Sequence, residues 1–400
     1  MKSPAGAMSL EQTRECVAAA IEPLEPEATP LAGALGRVLR QEARASEDMP
    51  AFDRSAMDGY ALHGDDPSER FRIIGEALPG RRADFNVGPG ECARIFTGAE
   101  IPASATEVLK QEDVHVQDGW MIPGCRTGTD YIRRRGEDAR AGDTLLRQGL
   151  RLGAAEIGLL ASVGIVNPLV SKQPRVAHFA TGDELVDPGD TPGPSHIRDS
   201  NSALVRAFAQ AEGGVMIHQS RVEDDAEVLT QKLGAALDGG CDLLLISGGA
   251  SVGAYDFGRT ALDRVGFRMQ FEKVNLRPGR PLAFATRDRQ AAFVLPGNPL
   301  SHLAVLHCVV RVAFERMAGL EPVMQVLNAR LADGVRIGGD GRDTLWPVRV
   351  EMIAGEPVAT ALRWQSSGDI TGLAGLNAFM RSTVPVLDTG ARVPCILLHG

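Results

Sequence analysis

The chain has 400 residues, 44% of them apolar, and carries 51 acidic against 42 basic side chains for a formal net charge of -9. A chain of this length buries about two to four domain cores. The acidic balance argues against nucleic acid or an anionic membrane surface as the main partner, because both repel a net negative protein.

The N-terminal stretch MKSPAGAMSLEQ has no apolar core of the kind a secretion signal needs. Ser9 and Gln12 have the spacing of a capping box, and Val17, Ala20, Ile21 and Leu24 follow at helical spacing, so a first helix is expected. From Asp48 to about Gly149 short apolar runs such as FRIIGEAL and TEVLKQEDVHV are bounded by Gly, Pro and Asp, which predicts a mostly β region. A helical pattern returns in GAAEIGLLASVGI, and NPLVSKQP reads as a linker. Between Arg175 and about Leu320 apolar strands alternate with amphipathic helices, the pattern of a mostly parallel sheet with helices on both faces. Short strands resume from Pro322 to Gly400 and suit a small barrel or sandwich.

The fold class expected is α/β multidomain, with an N-terminal α+β region over 1–173 (its β part about 48–149), a three-layer α/β domain over 174–321 and a small β domain over 322–400. The apolar stretch Leu300 to Leu320 is interrupted by His302, His307, Arg311, Glu315 and Arg316, so no membrane span is expected. Six scattered cysteines, Cys16, Cys92, Cys125, Cys241, Cys308 and Cys395, form no CxxC pair and no Cys/His metal spacing. They read as reduced core thiols of a cytoplasmic protein.

Ligands of open α/β sheets sit at the carboxyl ends of the strands. One such end is ISGGASVGAYDF, where an apolar run gives way to Ser247, Gly248, Gly249, Ser251 and Gly253 and then to Asp256. Glycines let successive N–H groups close around an anion, so this stretch suits a phosphate, with a plain strand-to-helix turn as the alternative. Other strand ends carry Asp183 and Glu184, Asp224 and Asp225, and the PGNP loop from Pro296 to Pro299. Carboxylates beside a phosphate need a hard cation between them, and Mg2+ combines a few carboxylates with phosphate oxygens. Asp183, Glu184, Asp224 and Asp256 are the candidates, with Glu184 and Asp256 the stronger pair, since Asp224 and Asp225 also suit a helix cap. Arg277 and Arg280 flank a Pro-Gly turn that could clamp an oxyanion, and Arg133 to Arg135 form a second basic run; either also suits a solvated turn. His178 reads as a satisfied core histidine, and His302 and His307 are five apart, a spacing unsuited to a shared metal.

Seven phrases, FDRSAMDGYAL, RIFTGAEIP, YIRRRGEDARAGD, FATGDEL, ISGGASVGAYDF, RPGRPLAF and LPGNPLSHLAV, stand in the order in which they occur in the MoeA family of molybdopterin molybdenumtransferases, which is similar to the gephyrin E domain. The resemblance covers nearly the whole chain. It implies an elongated homodimer, a MogA-like α/β domain, a C-terminal β-barrel, and a cleft in which the N-terminal part of one subunit faces the α/β domain of the other. It implies Mg2+-dependent insertion of molybdenum from molybdate into adenylyl-molybdopterin with release of AMP, and contact with other molybdenum cofactor biosynthesis proteins. Carried over motif by motif, Asp58, Asp138, Glu184, Asp224 and Asp256 would be catalytic, with Glu184 and Asp256 at the metal. Substrate would be bound by Thr97, Arg277, Arg280, Pro296, Pro299 and Ser367 together with the glycine nest.

Two departures stand out. The family's lysines in KPGKP are Arg277 and Arg280 here, and an arginine usual in the family aligns with Pro347, leaving Arg349 as a stand-in. One cationic contact to molybdate is therefore expected to be missing. The alternatives are a scaffold of this fold that binds the pterin nucleotide without inserting metal, and a related nucleotide-hydrolysing enzyme.

Overall fold

The computed structural model describes residues 7–124, 131–248, 252–337, 341–366 and 368–398, and the side chains of 252–256 lie outside that description. The chain forms two compact units, one of Met1–Thr29, Gly36–Arg40 and Leu169–Gly400, the other of Pro30–Leu35 and Gln41–Pro168. The first helix, expected within a 1–173 region, thus packs in the same unit as the α/β sheet.

Helix α1 (Leu10–Ala20) starts as its sequence requires. The Ser9 hydroxyl accepts from the Gln12 amide at 3.2 Å, and the Gln12 side chain accepts from the Ser9 amide at 3.0 Å. Its face of Leu10 and Val17 is fully buried in a core shared with the α/β sheet and the C-terminal strands. Each such side chain contributes about 1.5 to 3 kcal/mol, enough to fix where the helix docks.

The second unit is built on a six-stranded sheet of β1 (Gly59–Leu62), β2 (Phe71–Ala77), β3 (Glu91–Ile95), β4 (Glu107–Lys110), β5 (Val114–Gln117) and β6 (Trp120–Pro123), in the order β4-β1-β3-β2-β6-β5. Strand β1 is buried throughout. A Cβ on Gly59 would stand 1.9 Å from the Leu109 carbonyl oxygen of β4, so the glycine of the SAMDGYA phrase lets these two strands meet. Helix α2 (Ala154–Ser162) follows, its first turn closed by Glu156 accepting from the Gly153 amide at 2.8 Å.

In the first unit the second six-stranded sheet comprises β7 (Arg175–Thr181), β8 (Val215–Val222), β9 (Leu243–Ser247), β10 (Arg268–Phe271), β11 (Ala283–Arg287) and β12 (Gln290–Leu295), ordered β8-β7-β9-β12-β11-β10. The four strands β8, β7, β9 and β12 are parallel; β11 and β10 are antiparallel. Helices α3 (Ser200–Ala211), α4 (Ala226–Asp238) and α5 (Val252–Arg264) make the crossovers. Strand β9 is buried at all five residues, as a central parallel strand covered on both faces must be. Helix α6 (Pro299–Val305) begins with Pro299 at its first turn and runs through a π-helical turn (Leu306–Val310) into α7 (Arg311–Ala318).

Five further strands, β13 (Val326–Leu331), β14 (Asp343–Ile353), β15 (Glu356–Ala361), β16 (Ala378–Ser382) and β17 (Arg392–Leu397), close into a barrel in the order β14-β15-β13-β17-β16, with β16 returning to β14. Arg311 ties it to the α/β part: its guanidinium donates to Glu212 at 2.8 Å, to His307 Nδ1 at 2.7 Å and to the Leu398 carbonyl at 2.5 Å. No disulfide forms among the described cysteines; Cys92, Cys241, Cys308 and Cys395 are buried, and Cys125 lies outside the described residues. Burial pushes the Cys92, Cys241 and Cys308 thiols up to about 12. No helix among the described residues is long and apolar enough to cross a membrane.

Candidate active site

Two cavities adjoin at the carboxyl edge of the parallel sheet and share Asn298. The larger, of about 900 Å³, is entered by the ends of β7 and β9 at Thr181, Ser247 and Gly248, by Glu184, and by Gly297 and Pro299 of the PGNP loop. The smaller, of about 500 Å³, opens between that loop and the barrel, and Arg277, Arg280, Arg336 and Arg342 all line it. No acidic side chain lines it among the described residues. Of the sequence candidates, Glu184, Ser247, Gly248, Pro296, Pro299, Arg277 and Arg280 are thereby gathered at two neighbouring sites.

The arginine cavity is held open by built contacts. Arg277 Nη1 donates to the Ile337 carbonyl at 2.9 Å, and its guanidinium carbon lies 5.4 Å from the centroid of the Trp364 ring. Trp364 meets Trp346 edge to face at 4.9 Å, and both indole N–H groups are spent on carbonyls, of Ser366 and Leu362. The rings therefore present apolar walls while the guanidinium forks supply the donors. The position at which a cation is expected to be missing, Pro347, lies outside this cavity. Pro347 lies on β14 facing Phe379 of β16, and Arg349 is turned to Glu351 at 3.0 Å; neither lines the cavity. Its third and fourth cations are Arg336 and Arg342, which sequence reasoning missed. Their signal was present: VRIGGDGRD carries an arginine on each side of a glycine-rich stretch of sequence, as RPGR does.

Glu184 and Asp199 are the acids that line the larger cavity among the described residues, and the acids at the ends of β7 and β8 separate by role. Asp225 is the N-cap of α4, accepting from the Glu227 and Val228 amides at 2.7 and 3.1 Å. Asp224 caps no helix among the described residues. Its Oδ1 is buried without a hydrogen-bond partner among the described residues, its amide donates to Asp183 at 3.4 Å, and burial followed by the charges of Asp183 and Glu184 holds its carboxyl above the usual range. Burial disfavours the anion, and the neighbouring like charges add to the penalty. Gly182 has φ +142°, and a Cβ there would come within 2.7 Å of the Glu184 carboxylate, so glycine makes room for that acid.

Ser247 Oγ is buried and engaged, 2.7 Å from His178 Nε2 and 3.4 Å from His302 Nε2. Both rings are fully buried, and burial lowers His178 to about 3 and His302 to about 4, so both are neutral. His178 is thus satisfied, as its sequence setting implied. Gly248 stays near the sheet, its amide 3.4 Å from the Leu295 carbonyl. Gly249, Ser251 and Ser367 lie outside the described residues; Gly253 and Asp256 fall on α5, with the Asp256 side chain likewise outside the description.

Asp58, Thr97 and Asp138 belong to the second unit. Asp58 Oδ1 accepts from both the Thr97 amide and hydroxyl at 2.7 Å, and these bonds hold its carboxyl below the usual carboxylate range. Asp138 pairs with Arg133, which also meets Glu137 at 3.0 Å. Arg134 and Arg135 pair with Asp53 and Asp48 at 3.2 and 2.8 Å, so the basic run is neutralised by acids.

Residues 8–164 match the family model described as the MoeA N-terminal region (domain I and II), and residues 177–316 match the probable molybdopterin binding domain. The chain is 31% identical to a Nostoc sp. molybdopterin molybdenumtransferase over 382 residues, covering 91% of this chain and 86% of that one. It is 32% identical to molybdopterin molybdenumtransferase 2 of Mycobacterium tuberculosis over 331 residues, covering 78% and 80%. A crystal structure of the MoeA molybdopterin biosynthesis protein of Pyrococcus horikoshii superposes with a TM-score of 0.83 at 29% identity, covering 98% of this chain and all of that one. With both regions matched in order, and a relative above 30% identity spanning nine tenths of its length, the chain belongs to the MoeA family of molybdopterin molybdenumtransferases.

Proposed function

We propose that the protein transfers molybdenum from molybdate to the dithiolene sulfurs of adenylylated molybdopterin and releases AMP. The observation that carries this reading is the pairing of an arginine-lined cavity with a larger cavity at the strand ends, the two meeting at Asn298. Molybdate is a dianion, and a partly enclosed dianion needs several directed donors, which four guanidinium groups supply. The pterin nucleotide suits the larger cavity, where ligands of open α/β sheets are held. The scaffold alternative rests on a missing cation at Pro347, and the four arginines lining the cavity favour metal insertion over it.

Mg2+ fits the carboxylate side. The ion takes one or two carboxylates together with phosphate oxygens, and Asp224 has a buried oxygen to offer beside Asp183 and Glu184. Among the described residues no three His, Cys, Asp or Glu side chains form a ready-made site, so substrate phosphates would complete it. Glu184 and Asp256 would hold the ion, which when bound neutralises charge on the phosphoanhydride being cleaved. The chain's own groups do the rest: the guanidinium forks orient the oxyanion, and the tryptophan walls limit water around it.

The assembly proposed is a cytoplasmic homodimer in which Asp58, Thr97 and Asp138 of one subunit complete the cleft of the other. AMP release from adenylyl-molybdopterin, measured with and without molybdate, tests the reaction. Release that depends on molybdate supports it; release indifferent to molybdate points to a nucleotide hydrolase instead.

A further inference from the structure

The four residues Pro296 to Pro299 stand between the cavities, Pro296 and Asn298 lining the smaller and Gly297, Asn298 and Pro299 the larger, and a directed hydrogen-bond chain runs to that wall through the core. Its direction follows from donors and acceptors alone. Arg206 Nε can only donate, and it donates to Gln219 Oε1 at 2.8 Å, so Gln219 Nε2 is the amide nitrogen that donates to the Ser202 carbonyl at 2.8 Å and to His178 Nδ1 at 2.9 Å. His178 then carries its proton on Nε2 and donates to Ser247 Oγ. At the far end the Pro296 carbonyl accepts from His302 Nδ1 at 2.9 Å, which leaves His302 Nε2 bare to accept the Ser247 hydroxyl proton. Every ring nitrogen is used once, the hydroxyl accepts once and donates once, and the two histidines hold opposite tautomers.

We propose that His302 is a positioning residue which, through this chain from Gln219, His178 and Ser247, holds the Pro296–Pro299 wall in register for both substrates. The relay commits the Ser247 hydroxyl proton to His302, so this side chain has no proton left to donate to substrate. A second anchor is Asn201, whose Nδ2 donates to the Gly297 carbonyl at 2.6 Å. Neutral histidines suit this positioning role, because each offers one donor and one acceptor at fixed angles without placing a charge beside an oxyanion.

The substrates named here rest on the reaction proposed above, and the decisive experiments do not. In the wild-type protein, nitrogen-15 spectroscopy of the histidine rings should report His178 protonated on Nε2 and His302 on Nδ1; the reverse tautomers overturn the proposal. An Asn side chain places its amide near the Nδ1 position of histidine and a Gln side chain near Nε2. His302→Asn should therefore keep the bond to Pro296, and His302→Gln should lose it. Hydrogen exchange at the Gly297 and Asn298 amides should stay near wild type in the Asn variant and rise on the order of tenfold in the Gln variant, with matching rises in KM for molybdate and pterin nucleotide, the scale of effect expected of a misplaced binding wall. Equal exchange and equal KM in the two variants would show a merely structural histidine. A wild-type protein that releases no AMP would refute the proposed reaction and leave the tautomer and exchange readouts to decide this inference.

Discussion

Lowering the pH should unfold the first unit through its two buried histidines, and one substitution isolates the share of one of them. His302 is lowered from 6.5 to about 4 by burial, and His178 to about 3. In the unfolded chain both take up protons as the pH falls through about 6.5, while in the native state neither does until the pH reaches its depressed value. The unfolded state then binds more protons, so stability is intact above 6.5 and falls with pH between about 6.5 and 4. Each group costs about 1.4 kcal/mol per pH unit in that window, or about 2 kcal/mol apiece between pH 7 and pH 5. Such a loss is a large part of an ordinary domain's stability. Urea denaturation of wild type and His302→Asn at pH 7 and at pH 5 measures it. The variant should be less stable at pH 7 yet lose about 2 kcal/mol less than wild type on acidification. Equal losses in the two proteins would refute the claim that His302 is held neutral.

Arg280→Ala and Arg342→Ala should each raise the molybdate concentration needed for half-maximal AMP release by about 10- to 100-fold, since a hydrogen bond to a charged group is worth roughly 1.5 to 3 kcal/mol. Arg349→Ala, whose guanidinium meets Glu351 at 3.0 Å outside the cavity, is the control and should leave the requirement unchanged. Glu184→Gln and Asp224→Asn should slow AMP release by orders of magnitude at saturating Mg2+ while leaving the urea midpoint nearly unmoved; wild-type turnover in both would reject the carboxylate set. Light scattering should find a dimer at micromolar concentration, and a fully active monomer would exclude a cleft completed by a second subunit.

The parts of this protein legible in its sequence are those governed by near neighbours. The capping box at Ser9 and Gln12, the buried run of β9 and the alternation of strand and helix each depend on a few adjacent residues. Strand ends then mark the site because the parallel topology brings Thr181, Ser247 and Pro296 to one edge. What stayed hidden depends on contacts distant in sequence. Arg336 and Arg342 lie between β13 and β14, and only the packing of the C-terminal part against the α/β part brings them to the same cavity as Arg277 and Arg280. Asp224 and Asp225 are neighbours with identical side chains, and one amide geometry makes the second a cap and leaves the first facing Asp183 and Glu184. His178 and His302 look like ordinary core residues in sequence because the serine that links them lies on a third element.

The arginine cavity and the strand-end cavity are held to serve one reaction. A single-turnover assay with adenylyl-molybdopterin, Mg2+ and increasing molybdate, scored both for AMP and for molybdenum retained on the pterin, addresses this directly. AMP and pterin-bound molybdenum should appear together in equal amounts, and both should vanish when molybdate is omitted. AMP released at the same rate without molybdate, or AMP released with no molybdenum on the pterin, would contradict the shared reaction.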